Sequence, residues 1–273
     1  MSTPTMTTRS VPVSTAPVLE ELELEQPKLV TNDLLQRLAL RRQIELPVAD
    51  LVERLRRHGW LLDLTTRGVW EFAPAARAGP IGSGDPFIEL RATLLRRPDL
   101  AVRVAAESAA WLHGLAGRQP GRHAIAAPAK LDLPPALRGF RTIRHVARLP
   151  PEMLDGLPAW RVASLLAQMA ARPAIYRDWP NVEDWLADAV DRVDLTEMHE
   201  ELRGLKRSAW ARAAYLFSRG GRDDAGTELI AAAPPGKGPY YLGPRDRRGR
   251  YDARFDVVDS NLPAAASSHR APT

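Results

Sequence analysis

Arginine is the residue type whose placement carries the clearest chemistry in this chain. Arg54, Arg56 and Arg57 fall within a segment, 47–58, in which Val48, Leu51, Val52 and Leu55 recur at i, i+3, i+4 and i+7. That spacing predicts an amphipathic helix with Pro47 in its first turn and Gly59 just past its end. With the apolar stripe turned inward, Asp50, Glu53, Arg54 and Arg57 face outward and Arg56 flanks them. A guanidinium fork matches phosphate oxygens and also guanine O6 and N7, so such a face can grip a duplex and read it. Arg67 sits beside Gly68 at a predicted turn, and Arg41 and Arg42 lie ahead of the helix. Backbone amides near Thr31 and Asn32, where another helix should start, can receive a phosphate. The candidate DNA contacts are therefore Thr31, Asn32, Arg41, Arg42, Arg54, Arg56, Arg57 and Arg67. The same residues have a plainer reading. Glu53 and Arg57 are spaced to pair within the helix. Glu20, Glu21, Glu23 and Glu25 also leave this part of the chain without net positive charge.

Other chemistry finds little support. The chain has no cysteine, which excludes disulfides, thiolate metal sites and cysteine nucleophiles. Its six histidines are scattered with no i, i+4 pair, so no zinc site is expected. Gly82-Ser83-Gly84-Asp85 has the Gly-Ser of nucleotidyltransferases, but no paired carboxylates follow to hold metal ions. Ser108 has no base in view and no nucleophile elbow around it. His113, ahead of Gly114, reads as a structural residue at a helix C-terminus. Asp188, Asp191 and Asp194 read as the solvated edge of a helix. Asp252 and Asp256 are four apart on an expected strand, beside Arg250 and Arg254, and read as surface charge pairs. The basic loop Arg245–Arg250, flanked by Tyr240, Tyr241 and Tyr251, reads as a solvated hairpin tip. No catalytic residue, metal or cofactor is expected.

The elements that must position the arginines follow from periodicity. A short helix opens at Pro17 and carries Val18, Leu19 and Leu22; a second, capped by Thr31 or Asn32, carries Leu34, Leu35 and Leu38; the third is 47–58. Two short strands should flank a turn at Thr66-Arg67-Gly68, with Leu62 and Leu64 on one and Trp70 and Phe72 on the other. Three helices and a hairpin within this length are the winged-helix arrangement, which sets its third helix in the major groove. The fold class is therefore α+β: an N-terminal winged helix-turn-helix domain, 16–76, a linker, 77–84, and a larger mixed α+β domain, 85–260, helix-rich toward its C-terminus. Residues 1–15 and 261–273 are expected to be disordered tails. Within the larger domain, strands are expected at 123–127 and 140–146 and as a late strand through Tyr251, Ala253, Phe255 and Val257. The 273 residues carry a net charge of +5 and 45% hydrophobic residues. That balance permits a nucleic-acid partner and supplies two cores. No apolar run is long enough to span a membrane and no secretory signal is evident, so a cytoplasmic protein is expected.

Several stretches together resemble the AbiEi family, the antitoxins of type IV toxin–antitoxin systems. Gly59-Trp60-Leu61 with Arg67-Gly68-Val69-Trp70 is similar to that family's wing. Glu107-Ser-Ala-Ala-Trp-Leu-His-Gly-Leu115 resembles its central helix. Ala170-Ala-Arg-Pro-Ala174 and Ser208-Ala-Trp-Ala-Arg-Ala-Ala-Tyr-Leu216 resemble elements of a subgroup's C-terminal domain. The resemblance runs through 16–258 in the family's order. It implies a non-catalytic transcriptional autorepressor that binds inverted repeats in its own promoter. If the chain forms a homodimer on DNA, cooperative binding to paired sites is expected. It also implies an antitoxin that counteracts a cognate nucleotidyltransferase toxin, in many systems without a stable complex. Arg54, Arg56, Arg57 and Arg67 stand where that family's basic contacts fall. Two other readings stay open from the residues: a metal-dependent nuclease using carboxylates of the second domain, and a protein-interaction module whose winged helix touches no DNA.

Overall fold

The structure, a computed structural model, describes residues 11–77 and 79–262. Most of the two expected tails, 1–10 and 263–273, lies outside the described residues. The remainder of each is ordered: Thr15 is fully buried in a turn, its hydroxyl donating to the Pro12 carbonyl at 3.1 Å, and Leu262 packs into a core. The described residues fall into two compact units, one running to Leu100 and adding Asp132–Gly139, the other comprising Ala101–Leu131 and the chain from Phe140 onward.

The first unit contains α1 (Ala16–Glu25), β1 (Leu29–Thr31), α2 (Asn32–Arg41), α3 (Val48–Arg57), β2 (Leu61–Asp63), β3 (Val69–Phe72) and α4 (Ile88–Arg96). Its core joins Val18, Leu19 and Leu22 of α1 to Leu35 and Leu38 of α2, to Leu51, Val52 and Leu55 of α3, and to Trp60, Leu61 and Phe72. Three amphipathic stripes thus close on one another, which is why helices of ten residues or fewer persist here. The three strands form an antiparallel sheet in the order β1-β3-β2.

Three features depart from expectation. Strand β1 was not foreseen, and it makes Thr31 both the end of a strand and the cap of α2. The inward residue of β2 is Leu61, paired with Phe72, whereas Leu62 and Leu64 are half-buried. The unit also does not stop at Ala76. Arg77 and Ser83, expected in a linker, both bond to Glu71, a carboxylate only 6% exposed on β3. Gly82 passes so close that a Cβ there would lie 2.9 Å from Glu71 Oε2, so only glycine fits without displacement. Helix α4 follows, with Asp85 accepting the Phe87 amide at 2.9 Å and the Arg91 guanidinium at 2.7 Å. The 3₁₀ turn Pro135–Leu137 packs on α4.

The second unit holds a five-stranded sheet in the order β6-β5-β4-β8-β7, built from β4 (Arg103–Val104), β5 (Ala124–Ala126), β6 (Arg141–Ile143), β7 (Glu152–Leu154) and β8 (Leu157–Ala159). Beside it pack α5 (Ala106–Leu112), α6 (Val162–Ala171), α7 (Glu183–Asp191), α8 (Leu195–Leu202), α9 (Arg207–Arg219) and α10 (Asp223–Ala231). Helix α6 is the centre: Val162 through Ala170 are all buried, against α9, α8 and α5. A helix apolar on every side is one surrounded by protein. A second small sheet, β10-β11-β9, is made of β9 (Tyr240–Leu242), β10 (Arg250–Asp252) and β11 (Val257–Asp259). The late strand expected through 251–257 is therefore two strands around a turn in which Asp256 has φ +55°. Just ahead of α7, the Asn181 side-chain amide donates to Asp178 at 2.7 Å. Asp194, expected on a helix edge, caps α8 by accepting the Thr196 amide at 2.8 Å, which holds its carboxyl below the usual range.

Candidate nucleic-acid interface

The candidate face lies on α2, α3 and the β2–β3 hairpin. Helix α3 turns its apolar stripe inward, with Leu51 and Leu55 fully buried and Val48 half-buried, so its opposite side carries Asp50, Glu53, Arg56 and Arg57 outward; Arg54, also expected to face outward, is half-buried because it flanks the stripe between Leu51 and Leu55. A hairpin follows directly. Its turn needs a left-handed residue, which Gly68 supplies at φ +74°, and Arg67 is exposed beside it. The turn of the hairpin is tied to α4: the Thr65 amide donates to Glu89 at 2.7 Å, and the Thr66 hydroxyl meets Thr93 at 3.2 Å. At the start of α2, Thr31 Oγ1 accepts the Leu34 amide at 3.2 Å and Asn32 is exposed.

The expected cations divide into two groups. Arg41 pairs with Glu21 at 3.2 Å and Glu25 at 3.3 Å, and Arg42 pairs with Glu21 at 2.6 Å and Glu20 at 3.7 Å. The acidic helix α1 therefore lies against two of the arginines expected to contact DNA. Arg56 is bidentate on Asp63, at 2.6 and 2.7 Å, and also meets Glu53 at 3.4 Å. The hydrogen bond to Arg56 holds the Asp63 carboxyl below its ordinary range and raises Arg56 in turn. Arg57 pairs with Glu53 at 3.2 Å, as the i, i+4 spacing predicted. Arg54 and Arg67 form the second group. Arg54 donates to the Ser14 hydroxyl at 2.5 Å and to no carboxylate among the described residues; Arg67 has no partner among them.

Arg37 joins this second group and was not anticipated. It is exposed on α2 with no partner among the described residues. Its signal was present, one turn before Arg41 on the polar face of an amphipathic helix, but reading it required knowing which arginines the acidic helix would occupy. Over residues 16–76, ten carboxylates stand against eight lysines and arginines. Which cations remain uncompensated therefore decides where an anion can approach.

Residues once considered for catalysis have structural partners. Ser108 does meet a base, contrary to expectation: its Oγ lies 3.0 Å from His123 Nδ1. It is fully buried and also accepts the Ala124 amide at 2.8 Å, so the pair ties α5 to β5 and is closed to a substrate. His113 Nε2 lies 2.7 Å from the Trp160 carbonyl. Asp252 and Asp256 do not converge: Asp252 accepts the Arg254 amide at 2.9 Å, and Asp256 accepts the Gly238 amide and the Tyr251 hydroxyl, each at 3.0 Å. Among the described residues no three histidine or carboxylate side chains gather as metal ligands, and no helix is long and apolar enough to cross a membrane.

Residues 101–219 match the family model for the AbiEi antitoxin C-terminal domain. The match opens at Ala101, where the second unit begins. The chain is also similar to a solved structure, the RV2827C protein from Mycobacterium tuberculosis. Identity is 28%, the alignment covers 94% of this chain and 95% of that one, and the TM-score is 0.76. No curated protein matches.

Proposed function

We propose that this chain is an antitoxin of a toxin–antitoxin system and also a DNA-binding autorepressor, the first part supported by the match of residues 101–219 to the AbiEi antitoxin C-terminal domain. The first unit acts as a winged helix. It binds double-stranded DNA at inverted repeats in its own promoter, as two copies on paired half-sites, with α3 in the major groove and the β2–β3 hairpin along the backbone. The second unit counteracts a cognate nucleotidyltransferase toxin, a task that asks no catalysis of this chain and places it in the cytoplasm with its operon.

One observation supports the DNA reading: the half-buried Arg54 on α3 and the exposed Arg67 at the hairpin tip have no carboxylate partner among the described residues, while Arg41, Arg42, Arg56 and Arg57 are compensated internally. Arginines without an acid partner retain their full capacity for phosphate and guanine. Fluorescence anisotropy with the protein's own upstream DNA tests this. The expected result is tight binding to that duplex, much weaker binding to a scrambled one, and loss of affinity in Arg54→Ala and Arg67→Ala. Equal affinity for both duplexes would overturn the repressor reading. Co-expression with the product of the adjacent reading frame tests the other half: growth arrest relieved by this chain is expected, and arrest that it leaves unrelieved contradicts the toxin assignment.

The surplus of carboxylates over cations in 16–76 favours a second reading, a winged helix that docks on protein. Charge reversal at Arg54 and Arg57 separates the two, since only the DNA reading requires it to abolish duplex binding.

A further inference from the structure

The second unit contains a cavity of about 300 Å³ whose lining includes Arg118, Gln119, Arg122, Arg141, Arg177 and Asp178. Four guanidinium groups around so small a space repel one another unless something compensates them. Arg141 is compensated. The buried Glu107 carboxylate accepts its Nη2, and the Ile175 carbonyl accepts its Nη1 at 2.9 Å. The other oxygen of Glu107 accepts the Arg177 amide, so one acid ties α5, β6 and the 175–178 loop into a fixed wall. Arg122 gives Nη2 to the Phe140 carbonyl at 3.2 Å. Arg118 and Arg177 are exposed, with no side-chain partner among the described residues. Asp178, the second carboxylate of the lining, spends Oδ1 on the Asn181 amide.

Arg118 and Arg177 thus set two guanidinium groups against one carboxylate, Asp178, beside a wall that Glu107 ties together. Guanidinium forks of this kind match the oxygens of a phosphoryl group. The volume stands at the lower end of small-molecule sites, larger than a bare phosphate needs and too small to admit a duplex. Asp178 Oδ2 remains as an acceptor for a hydroxyl. We propose that this cavity binds a small phosphorylated compound with a hydroxylated body, a nucleotide or a sugar phosphate, its phosphoryl oxygens on Arg118 and Arg177 and a hydroxyl on Asp178. The site lies wholly in the second unit and does not depend on the DNA reading.

Calorimetric titration of the full chain tests it with ADP, ribose 5-phosphate, inorganic phosphate and adenosine as probes. Saturable binding of ADP or of ribose 5-phosphate is expected, and the tighter of the two identifies the source. Arg118→Gln and Arg177→Gln should each weaken that binding about tenfold, with the melting temperature and upstream-DNA affinity unchanged because both side chains are exposed. Asp178→Asn should weaken the organic phosphates and leave inorganic phosphate unaffected. The proposal is overturned if neither organic phosphate binds, if adenosine binds as well as ADP, if inorganic phosphate equals them both, or if the two arginine variants bind like the parent protein.

Discussion

Arg42 lies across Glu21, with both Nε and Nη2 of its guanidinium within 2.7 Å of one carboxylate oxygen. Twenty-one residues separate the two along the chain, and their meeting turns an acidic helix into an internal counter-ion for a basic pair. Exposed ion pairs of this kind contribute about 0–1 kcal/mol to stability. Their larger effect is on what the arginines can do, since an anion arriving at Arg41 or Arg42 must displace Glu21.

Removing that competitor should strengthen binding. Glu21→Gln is expected to raise affinity for any duplex several-fold, specific or scrambled, with the melting temperature almost unchanged. The gain should shrink as salt is added, because it is electrostatic. Anisotropy titrations at two salt concentrations check it, and unchanged affinity at low salt would mean that the acidic helix masks nothing.

The hairpin's anchor gives a second expectation. Glu89 holds the turn of the hairpin from α4. Glu89→Ala frees the Thr65 amide, so the hairpin should lose its fixed angle although Arg67 itself is unaltered. Affinity for the upstream duplex should fall, chiefly through faster dissociation, which stopped-flow measurement resolves. Dissociation as slow as in the parent protein would show that the hairpin needs no support from α4.

Much of this was legible in sequence, and the failures have physical causes. The α3 stripe at 48, 51, 52 and 55 was readable because four apolar residues on one helical face leave little else possible. Strand β1 was hidden because three residues are too few to establish a period, and Thr31 already read as a cap. The β7–β8 hairpin was overlooked although Asp155-Gly156, with φ of +46° and +71°, is a favoured pair for a tight turn; Pro158 beside it obscured the strand. The Ser108–His123 contact and the pairing of Arg42 with Glu21 join distant positions, and periodicity carries no information about those. The candidate arginines were therefore visible as a set, while the division between occupied and available ones was not.

Within the second unit, Glu201 is 1% exposed and accepts the Arg148 amide at 3.1 Å, the Leu149 amide at 2.9 Å and the Ser164 hydroxyl at 2.5 Å. Its removal strands three donors in the interior. Glu201→Ala should cost about 3 kcal/mol, and Glu201→Gln should recover part of that, as measured by urea denaturation. A loss under about 1 kcal/mol would show that the site relaxes or fills with water.

His145 sets a pH dependence. Burial foremost, and then the nearby Arg172 guanidinium, hold it below its ordinary value, with Glu201 acting in the opposite sense. The unfolded chain therefore takes up this proton at a higher pH than the folded protein does. The associated stability is complete above the ordinary histidine range and declines as pH falls toward the folded value. Melting temperature should drop between about pH 7 and pH 5, and His145→Gln should flatten that segment of the curve. A curve of the same shape in the variant would place the dependence elsewhere.

The salt dependence of binding to the protein's own upstream duplex tests the central claim most directly. With about three phosphates neutralised per protomer, by Arg37, Arg54 and Arg67, log K should fall linearly with log salt, with a slope of about −3. Arg67→Ala should reduce the magnitude of that slope by about one. A flat response, or a slope indifferent to Arg67, would contradict the account.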